Sequence, residues 1–477
     1  MSTFYPYLEP VILLVFSLIS LILIPFVNKK IIMAVSSIGI FISFILSLYV
    51  VLINDKSFYS SNSFFIFTYY TYLFFILFTF IGLFSAISLR NVKNKDISIY
   101  YVLIPSSLIA MYFAISSNNL ISLFVSFEAA SLTTYVLAGI PKEKRTLEAS
   151  LKYFVIGALS SGIILLGISY YYISTNTLSL YNVTGINNLF LYILSLLMLL
   201  VGFGFKLSLF PFHNWAIDTY TGARATVSSL LSTASKIMAL IIMINIFFNI
   251  QLLNLHGYSN IKTTNDLLYY IFTAISILTM FYGNITALMQ RDVKRMLAYS
   301  SIANAGYMAM VFSLLYYLNY KTFINTVYII TFIFSLAYVI MKGGSFIAME
   351  NFEEYSISTT LDNISGLSKK SPILALSFSI LLFSLAGIPP TLGFMGKFYL
   401  FYTLVVNNFW WFAMIGVINS AISVYYYFRV VMYMYWKEPK NEIKNDRVLE
   451  FIILTMAILS IILGILVPYI FNIGVIK

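Results

Sequence analysis

Residues Pro372–Leu404 read PILALSFSILLFSLAGIPPTLGFMGKFYLFYTL. The run has 33 residues and one charge, Lys397. It is long enough to cross a hydrocarbon core of about 30 Å. Pro389-Pro390, just after Gly387, interrupts it near the middle. Each proline lacks an amide donor and clashes with the turn before it, so a straight helix cannot pass through. Irregular backbone at membrane depth is tolerated only where it is buried in protein or lines a hydrated cavity. A lysine facing lipid there costs about 2.5–3.5 kcal/mol, so Lys397 must face the interior or water. A broken, lysine-bearing membrane helix is the element around which the rest of the chain has to be arranged.

The composition agrees. Of 477 residues, 60% are hydrophobic and 9% charged, whereas a soluble domain is about one-quarter charged. Apolar runs recur near Tyr5–Phe26, Ile31–Ile53, Phe65–Leu89, Ile97–Ile115, Leu120–Ile140, Leu147–Ile173 and Leu189–Phe212. They continue near Ala225–Phe248, Leu267–Met289, Val293–Leu318, Phe323–Met349, Pro372–Leu404, Phe409–Tyr435 and Leu449–Phe471. These predict an all-α polytopic membrane protein of about 14 transmembrane helices, because helices satisfy their own backbone in lipid. The chain contains no cysteine, which excludes disulfides, thiolate chemistry and cysteine-ligated iron–sulfur clusters.

The basic residues test this count. Loops after odd-numbered spans carry 18 of the 28 Lys and Arg, in groups such as Lys29–Lys30, Lys142/Lys144/Arg145 and Arg291/Lys294/Arg295. The opposite face carries only Lys56, Lys262, Lys321 and Lys477. The rich face is expected to be cytoplasmic, which puts both termini outside the cell membrane. The net charge of +11 follows from these loops and needs no nucleic-acid partner. The first span has no basic n-region and no small-residue cleavage pattern, so it reads as an anchor.

A second break is expected in the seventh span, at Pro211 in Leu-Phe-Pro-Phe-His, five helices before the first. A tandem five-helix unit is inverted in the membrane, and matching broken helices point to an ion pathway. The expected organisation is one transmembrane domain. Residues 1–96 hold three N-terminal helices, 97–250 and 266–436 two inverted five-helix repeats, and 448–477 the last helix.

The charges inside spans carry the chemistry. Glu128 lies midway along the fifth, Lys152 two turns into the sixth, Lys206 beside the break of the seventh, and Lys236 near the middle of the eighth. Static ion pairs cannot satisfy a set in which lysines outnumber carboxylates. Desolvation disfavours a charged ammonium and a neighbouring carboxylate favours it, so a lysine between the two influences suits proton exchange. Glu128 is the expected modulator and Lys206 the switched site. His213, two turns after Lys206, shares its face only if the helix is continuous. Simpler readings suffice elsewhere: Glu9 reaching water at the outer end, Arg429 snorkelling, Gly202-Phe-Gly204 as a close-packed helix face, His256 in a polar loop, and a small hairpin near Ser57–Phe64. No dinucleotide fingerprint or metal-binding carboxylate cluster is present, so this chain is not expected to hold an electron path.

The motifs Ser126-Phe-Glu128-Ala-Ala-Ser-Leu, Leu147-Glu-Ala-Ser-Leu-Lys152-Tyr-Phe, Phe205-Lys206-Leu-Ser-Leu-Phe-Pro-Phe-His213, Ser235-Lys236, Arg291-Asp292-Val-Lys294-Arg-Met-Leu-Ala-Tyr-Ser-Ser-Ile-Ala and Leu385-Ala-Gly-Ile-Pro-Pro-Thr-Leu-Gly-Phe-Met-Gly-Lys397 resemble subunit N of the proton-pumping NADH:quinone oxidoreductases (respiratory complex I), within the antiporter-like, Mrp-type membrane subunits. The resemblance spans roughly Leu120 to Val430 and implies that Glu128, Lys152, Lys206, His213, Lys236 and Lys397 line a polar axis with its proton channels. It implies partner membrane subunits, with flavin, iron–sulfur clusters and quinone in partner subunits. Two positions depart from the pattern: Asn304 stands where a histidine is usual, and Lys342 where an uncharged residue is usual. Lys342 therefore joins the expected proton pathway, and a hydrogenase or cation/proton antiporter subunit is the alternative.

Overall fold

A computed structural model describes residues 5–53, 59–92, 97–181, 183, 185–249, 260–317, 323–439 and 446–470. Twelve helices among the described residues are long and apolar enough to cross a membrane. They match the expected spans one to nine, eleven, thirteen and fourteen. The twelfth is present as two shorter apolar helices, Pro372–Ala386 and Leu392–Val406. The tenth is a helix at Val293–Ala309 continued by a tighter 3₁₀ segment, Met310–Tyr317.

The helices that position the site are α1 (Leu8–Leu23), α2 (Lys29–Ile53), α3 (Tyr69–Ser88), α4 (Ser98–Ile115), α5 (Leu120–Gly139), α6 (Lys144–Thr175) and α7 (Leu189–Leu207). They are followed by α8 (Asn214–Gly222), α9 (Ala225–Ser232), α10 (Ala234–Ile244), α11 (Asn260–Leu288), α12 (Val293–Ala309), α13 (Phe323–Tyr338) and α14 (Gly344–Glu354). Two four-residue helices, α15 (Leu361–Ile364) and α16 (Leu367–Lys370), precede α17 (Pro372–Ala386), α18 (Leu392–Val406), α19 (Trp410–Trp436) and α20 (Arg447–Ile470).

Polar caps set where several helices begin. The side chains of Asn119, Asn188 and Asp292 accept from Ile121, Leu191 and Arg295 amides at 2.8, 3.1 and 2.8 Å. Each such cap is worth about 1 kcal/mol, and each occupies one amide that the first helical turn leaves open. The hairpin forms slightly later than expected, from Ser60–Ser61 and Ile66–Phe67, with Ser60 opposite Phe67. Its turn is closed by Asn62 Oδ1, which accepts from the amides of Phe64 (2.9 Å) and Phe65 (2.7 Å).

The chain packs as two compact units. The first takes Met1–Ser208, Ala234–Tyr270 and Leu315–Lys321; the second takes Leu209–Thr233, Ile271–Leu314 and Thr322–Lys477. In the first, α6 and α7 pack closely because Gly202 has no side chain: a Cβ there would lie 2.2 Å from Ile164 Cγ1. Ser160 Oγ donates to the Gly202 carbonyl at 2.8 Å across the same contact. Glu9 is buried rather than open to water, because α1 is flanked by α2 and α4. Large apolar side chains such as Leu159, 67% exposed, fit a surface that faces hydrocarbon.

Among the described residues, further interruptions without a sequence signal lie beyond the two expected breaks. The eighth span divides at Thr233, between α9 and α10, and wide π turns occur at Asn245–Asn249 and Val339–Gly343. None contains proline. Thr233 Oγ1 turns back to the Ser229 carbonyl at 2.6 Å, a bond that competes with the helix ladder and bends it. Lys56, Lys93, Lys95, Lys321, Lys440, Lys444, Lys477 and His256 lie outside the described residues.

Candidate functional site

In the first unit the site is built around Lys206. Helix α7 ends at Ser208, whose φ of 64° is left-handed, so Lys206 occupies the last turn. It is fully buried. Its Nζ donates to Tyr153 Oη at 2.7 Å, Ser131 Oγ at 3.1 Å and Thr134 Oγ1 at 3.3 Å. The rings of Tyr153, Tyr135 and Phe127 lie 5.0, 5.4 and 5.7 Å from it. Hydroxyls and ring faces together replace the water that a buried ammonium gives up. Phe127, Ser131 and Thr134 recur at helical spacing on α5, so one face of that helix supplies much of the cradle.

Glu128 sits next to that face, half-buried, and accepts from Ser161 Oγ at 2.5 Å. Among the described residues it makes no ion pair with Lys206. Lys236 is fully buried on α10, one turn after the Thr233 break.

Lys152 departs from expectation. It is exposed, and its Nζ lies 2.9 Å from Glu148 Oε1. The inward stripe of α6 is Ala149, Tyr153, Gly157, Ser160 and Ile164. One residue is about 100° of helix rotation, so the residue before Tyr153 is turned outward.

His213 also departs, because α7 has already ended at Leu207 and two turns of spacing no longer place it beside Lys206. In the second unit it is buried between Tyr282 and Phe210, with ring centroids at 4.1 and 5.4 Å.

The second unit holds two more of the expected pathway lysines. Lys342 lies in the π turn and is fully buried. Its Nζ donates to the Leu297 carbonyl at 2.8 Å and to Ser300 Oγ. Asn304 Nδ2 donates to the Ser300 carbonyl at 2.7 Å. The two positions that depart from the subunit N pattern therefore meet at one serine.

Lys397 sits against the break in the twelfth span. Its Nζ donates to the Leu385 and Ala386 carbonyls at 2.9 and 3.3 Å and to Ser420 Oγ at 3.0 Å, with the Tyr307 ring at 5.1 Å. Those carbonyls belong to the last turn of α17, which has no amides ahead of it to bond. Gly387, at φ 85°, turns the chain there, and a Cβ on it would lie 3.3 Å from Lys397 Cδ. A cavity of about 770 Å³ opens beside Lys397, lined by Phe394, Phe398, Phe401 and Trp410 among others. Nearby, Asn284 bonds Asn419 (3.1 and 3.2 Å), Tyr307 (3.4 Å) and Tyr426 (3.0 Å), a buried polar cluster without charge.

Sequence reading missed an acidic pair. Glu350 and Glu353 are on α14, beyond the expected end of the eleventh span, and Glu350 is buried. Arg224 pairs with Glu350 through Nε at 2.9 Å and through Nη2. Lys294, read as a loop charge, is buried and pairs with Glu353. Carboxylates three residues apart at the end of a span were a visible signal, but no local pattern joins residues 126 positions apart. Arg429 caps α11, donating to the Leu288 and Gln290 carbonyls at 3.0 and 2.5 Å.

The NADH:quinone oxidoreductase/Mrp antiporter transmembrane family matches residues 117–423. F(420)H(2) dehydrogenase subunit N of Methanosarcina mazei is 37% identical over 398 residues, 80% of this chain and 77% of the relative. NADH-quinone oxidoreductase subunit N 1 of Thermodesulfovibrio yellowstonii is 38% identical over 409 residues, 84% and 83% of the two chains. Among solved structures, a chain of respiratory complex I from Thermus thermophilus with bound aureothin superposes with a TM-score of 0.81 at 26% identity, covering 97% of this chain and 98% of that one.

Proposed function

The chain belongs to the NADH:quinone oxidoreductase/Mrp antiporter transmembrane family, and from that premise we propose that Glu128, Lys152, Lys206, His213, Lys236, Lys342 and Lys397 form its proton pathway. It is an integral, multi-pass, proton-translocating subunit of a respiratory NADH:quinone oxidoreductase-like complex, working beside other membrane subunits. Flavin, iron–sulfur clusters and quinone belong to those partners in this reading.

The observation that carries it is the environment of the buried lysines. Lys206 and Lys397 are held by hydroxyls, carbonyls and rings rather than by carboxylates, and Lys342 bonds the Leu297 carbonyl and Ser300 Oγ. A static ion pair would need a partner of opposite charge in contact, and among the described residues neither Lys206 nor Lys397 has one. An ammonium bound by neutral acceptors is free to give up its proton without leaving an unpaired buried anion. Glu128 stands beside the face of α5 that cradles Lys206, and motion of that carboxylate is the trigger for release in this reading.

Lys152 and Glu148 take a different part. An exposed ion pair on a lipid-facing surface is costly, so a neighbouring membrane subunit covers α6 at this point and continues the pathway there. The basic loops face the cytoplasm, both termini lie outside, and residues 97–250 and 266–436 are inverted repeats whose breaks carry Lys206 and Lys397.

The test is electron-transfer-driven proton uptake by the intact complex in inverted vesicles, compared with its yield. Lys206→Met is expected to assemble and to lose most pumping. Full pumping at normal yield in that variant would reduce the chain to a spacer. A tag at Lys142–Arg145 reached only from the outside would overturn the orientation.

A further inference from the structure

We propose that Glu350 and Glu353 are positioning residues that set Lys342 by locking α9 onto the helix that carries it. This rests on Lys342 being part of the proton pathway. Helix α9 starts without a cap of its own: Arg224, at its N-cap position, makes no side-chain cap bond. The first amides of a helix have no partner within it. Here α14 supplies the acceptors. Glu353 Oε2 accepts from the Ala225 amide at 2.8 Å, and Glu350 Oε2 accepts from the Thr226 amide at 3.1 Å and from Thr226 Oγ1 at 2.9 Å. The two carboxylates are three residues apart, on one face of α14, and meet consecutive amides of α9.

The remaining oxygens hold cations. Glu350 Oε1 takes Arg224, and Glu353 Oε1 takes Lys294, whose Nζ also donates to the Ala223 carbonyl. Negative charge at a helix N-terminus is favourable, and both oxygens of Glu350 are engaged by donors. Its role is geometric.

One turn further along the same face of α9, Ser229 Oγ donates to the Gly343 carbonyl at 3.0 Å. Gly343 follows Lys342 within the π turn, where the ladder of backbone bonds is widened and a carbonyl is open to an outside donor. The lock at Glu350 and Glu353 thus fixes the register at which Ser229 meets that turn. The turn in turn aims Lys342 at Ser300 Oγ and the Leu297 carbonyl. Gly344 keeps the other side close: a Cβ there would lie 2.7 Å from Leu381 Cδ1 and 2.9 Å from Met456 Sδ.

The experiment measures protons moved per electron, with complex yield, for Glu350→Ala, Glu350→Gln, Ser229→Ala, Lys342→Met and the doubles Glu350→Ala/Lys342→Met and Ser229→Ala/Lys342→Met. Glu350→Ala is expected to lower pumping about fivefold and Ser229→Ala about twofold. Glu350→Gln, which keeps acceptors for Thr226, is expected to recover part of the loss. Each double is expected to pump no worse than Lys342→Met alone, because residues acting through one group are not additive. Doubles in which the losses multiply would overturn the inference and leave Lys342 in the pathway. Normal pumping by Lys342→Met would overturn both, and is a distinct result. If Glu350→Ala fails to assemble, the Ser229→Ala pair decides by the same comparison.

Discussion

Lys206 and Lys397 each sit at a broken helix, yet they are held in opposite ways. Lys206 precedes its break and reaches across to other helices, where Tyr153, Ser131 and Thr134 receive it through side-chain hydroxyls. Lys397 follows its break and turns back to the carbonyls of Leu385 and Ala386, one helical segment earlier in the same span. A side-chain cradle is written residue by residue and can be adjusted by any neighbour that moves, Glu128 among them. A backbone cradle is made by the break itself, and depends on the residues that shape the chain there. The first suits a site whose proton affinity is switched; the second suits a fixed acceptor beside an open cavity.

The largest expected effect tests whether Lys397 carries protons at all. Lys397→Met is expected to assemble normally and pump at least about tenfold less, a barrier change of roughly 1.4 kcal/mol. Lys397→Arg is expected to be impaired too, since guanidinium does not deprotonate. A near-normal Arg variant would make the site a static anchor and break the comparison.

Next in size is the switch at the first site. Glu128→Gln is expected to cut pumping severalfold at unchanged yield, and Glu128→Asp to keep part of it. At an effective dielectric of about 20, a charge a few ångströms away is worth up to a few kcal/mol. Wild-type pumping by the Gln variant would remove Glu128 from the mechanism.

The backbone cradle predicts a sensitivity at a residue with no functional side chain. Gly387→Ala places a Cβ at φ 85°, which costs about 1–2 kcal/mol, and crowds Lys397 as well. Lower thermal stability of the complex with a severalfold loss of pumping is expected; an unchanged Tm would mean that the cradle does not depend on this turn.

The smallest effects discriminate between the two cradles. Tyr153→Phe removes a hydrogen bond to a buried ammonium, worth about 1.5–3 kcal/mol, and is expected to slow pumping measurably. Ser420→Ala leaves Lys397 its two carbonyls and is expected to slow pumping less than Tyr153→Phe. Initial rates of proton uptake for these two variants side by side check the point, and equal losses would erase the distinction.

Much of the molecule was legible in the chain itself. Spans of about 20 apolar residues, Pro211 and Pro389-Pro390 set the helices and two of their breaks, because apolar length and a missing amide act locally. Lys206, Lys236 and Lys397 could be chosen as buried because a charge in a long apolar run has to be sheltered, whereas Lys342 entered through its departure from the family pattern. What only the tertiary structure decided depends on side-chain direction and on partners distant in sequence. Lys152 was expected inside and is outside, since a single residue step along α6 separates the inward Tyr153 from the outward lysine. The break at Thr233 and the π turn at Lys342 have no proline to announce them, because they are stabilised by neighbouring packing and hydroxyl bonds. Glu350 and Glu353 read as loop acids until α14 proved longer and Arg224, Thr226 and Lys294 closed around them. Local rules determine which residues must leave water; only three-dimensional packing determines which groups then receive them.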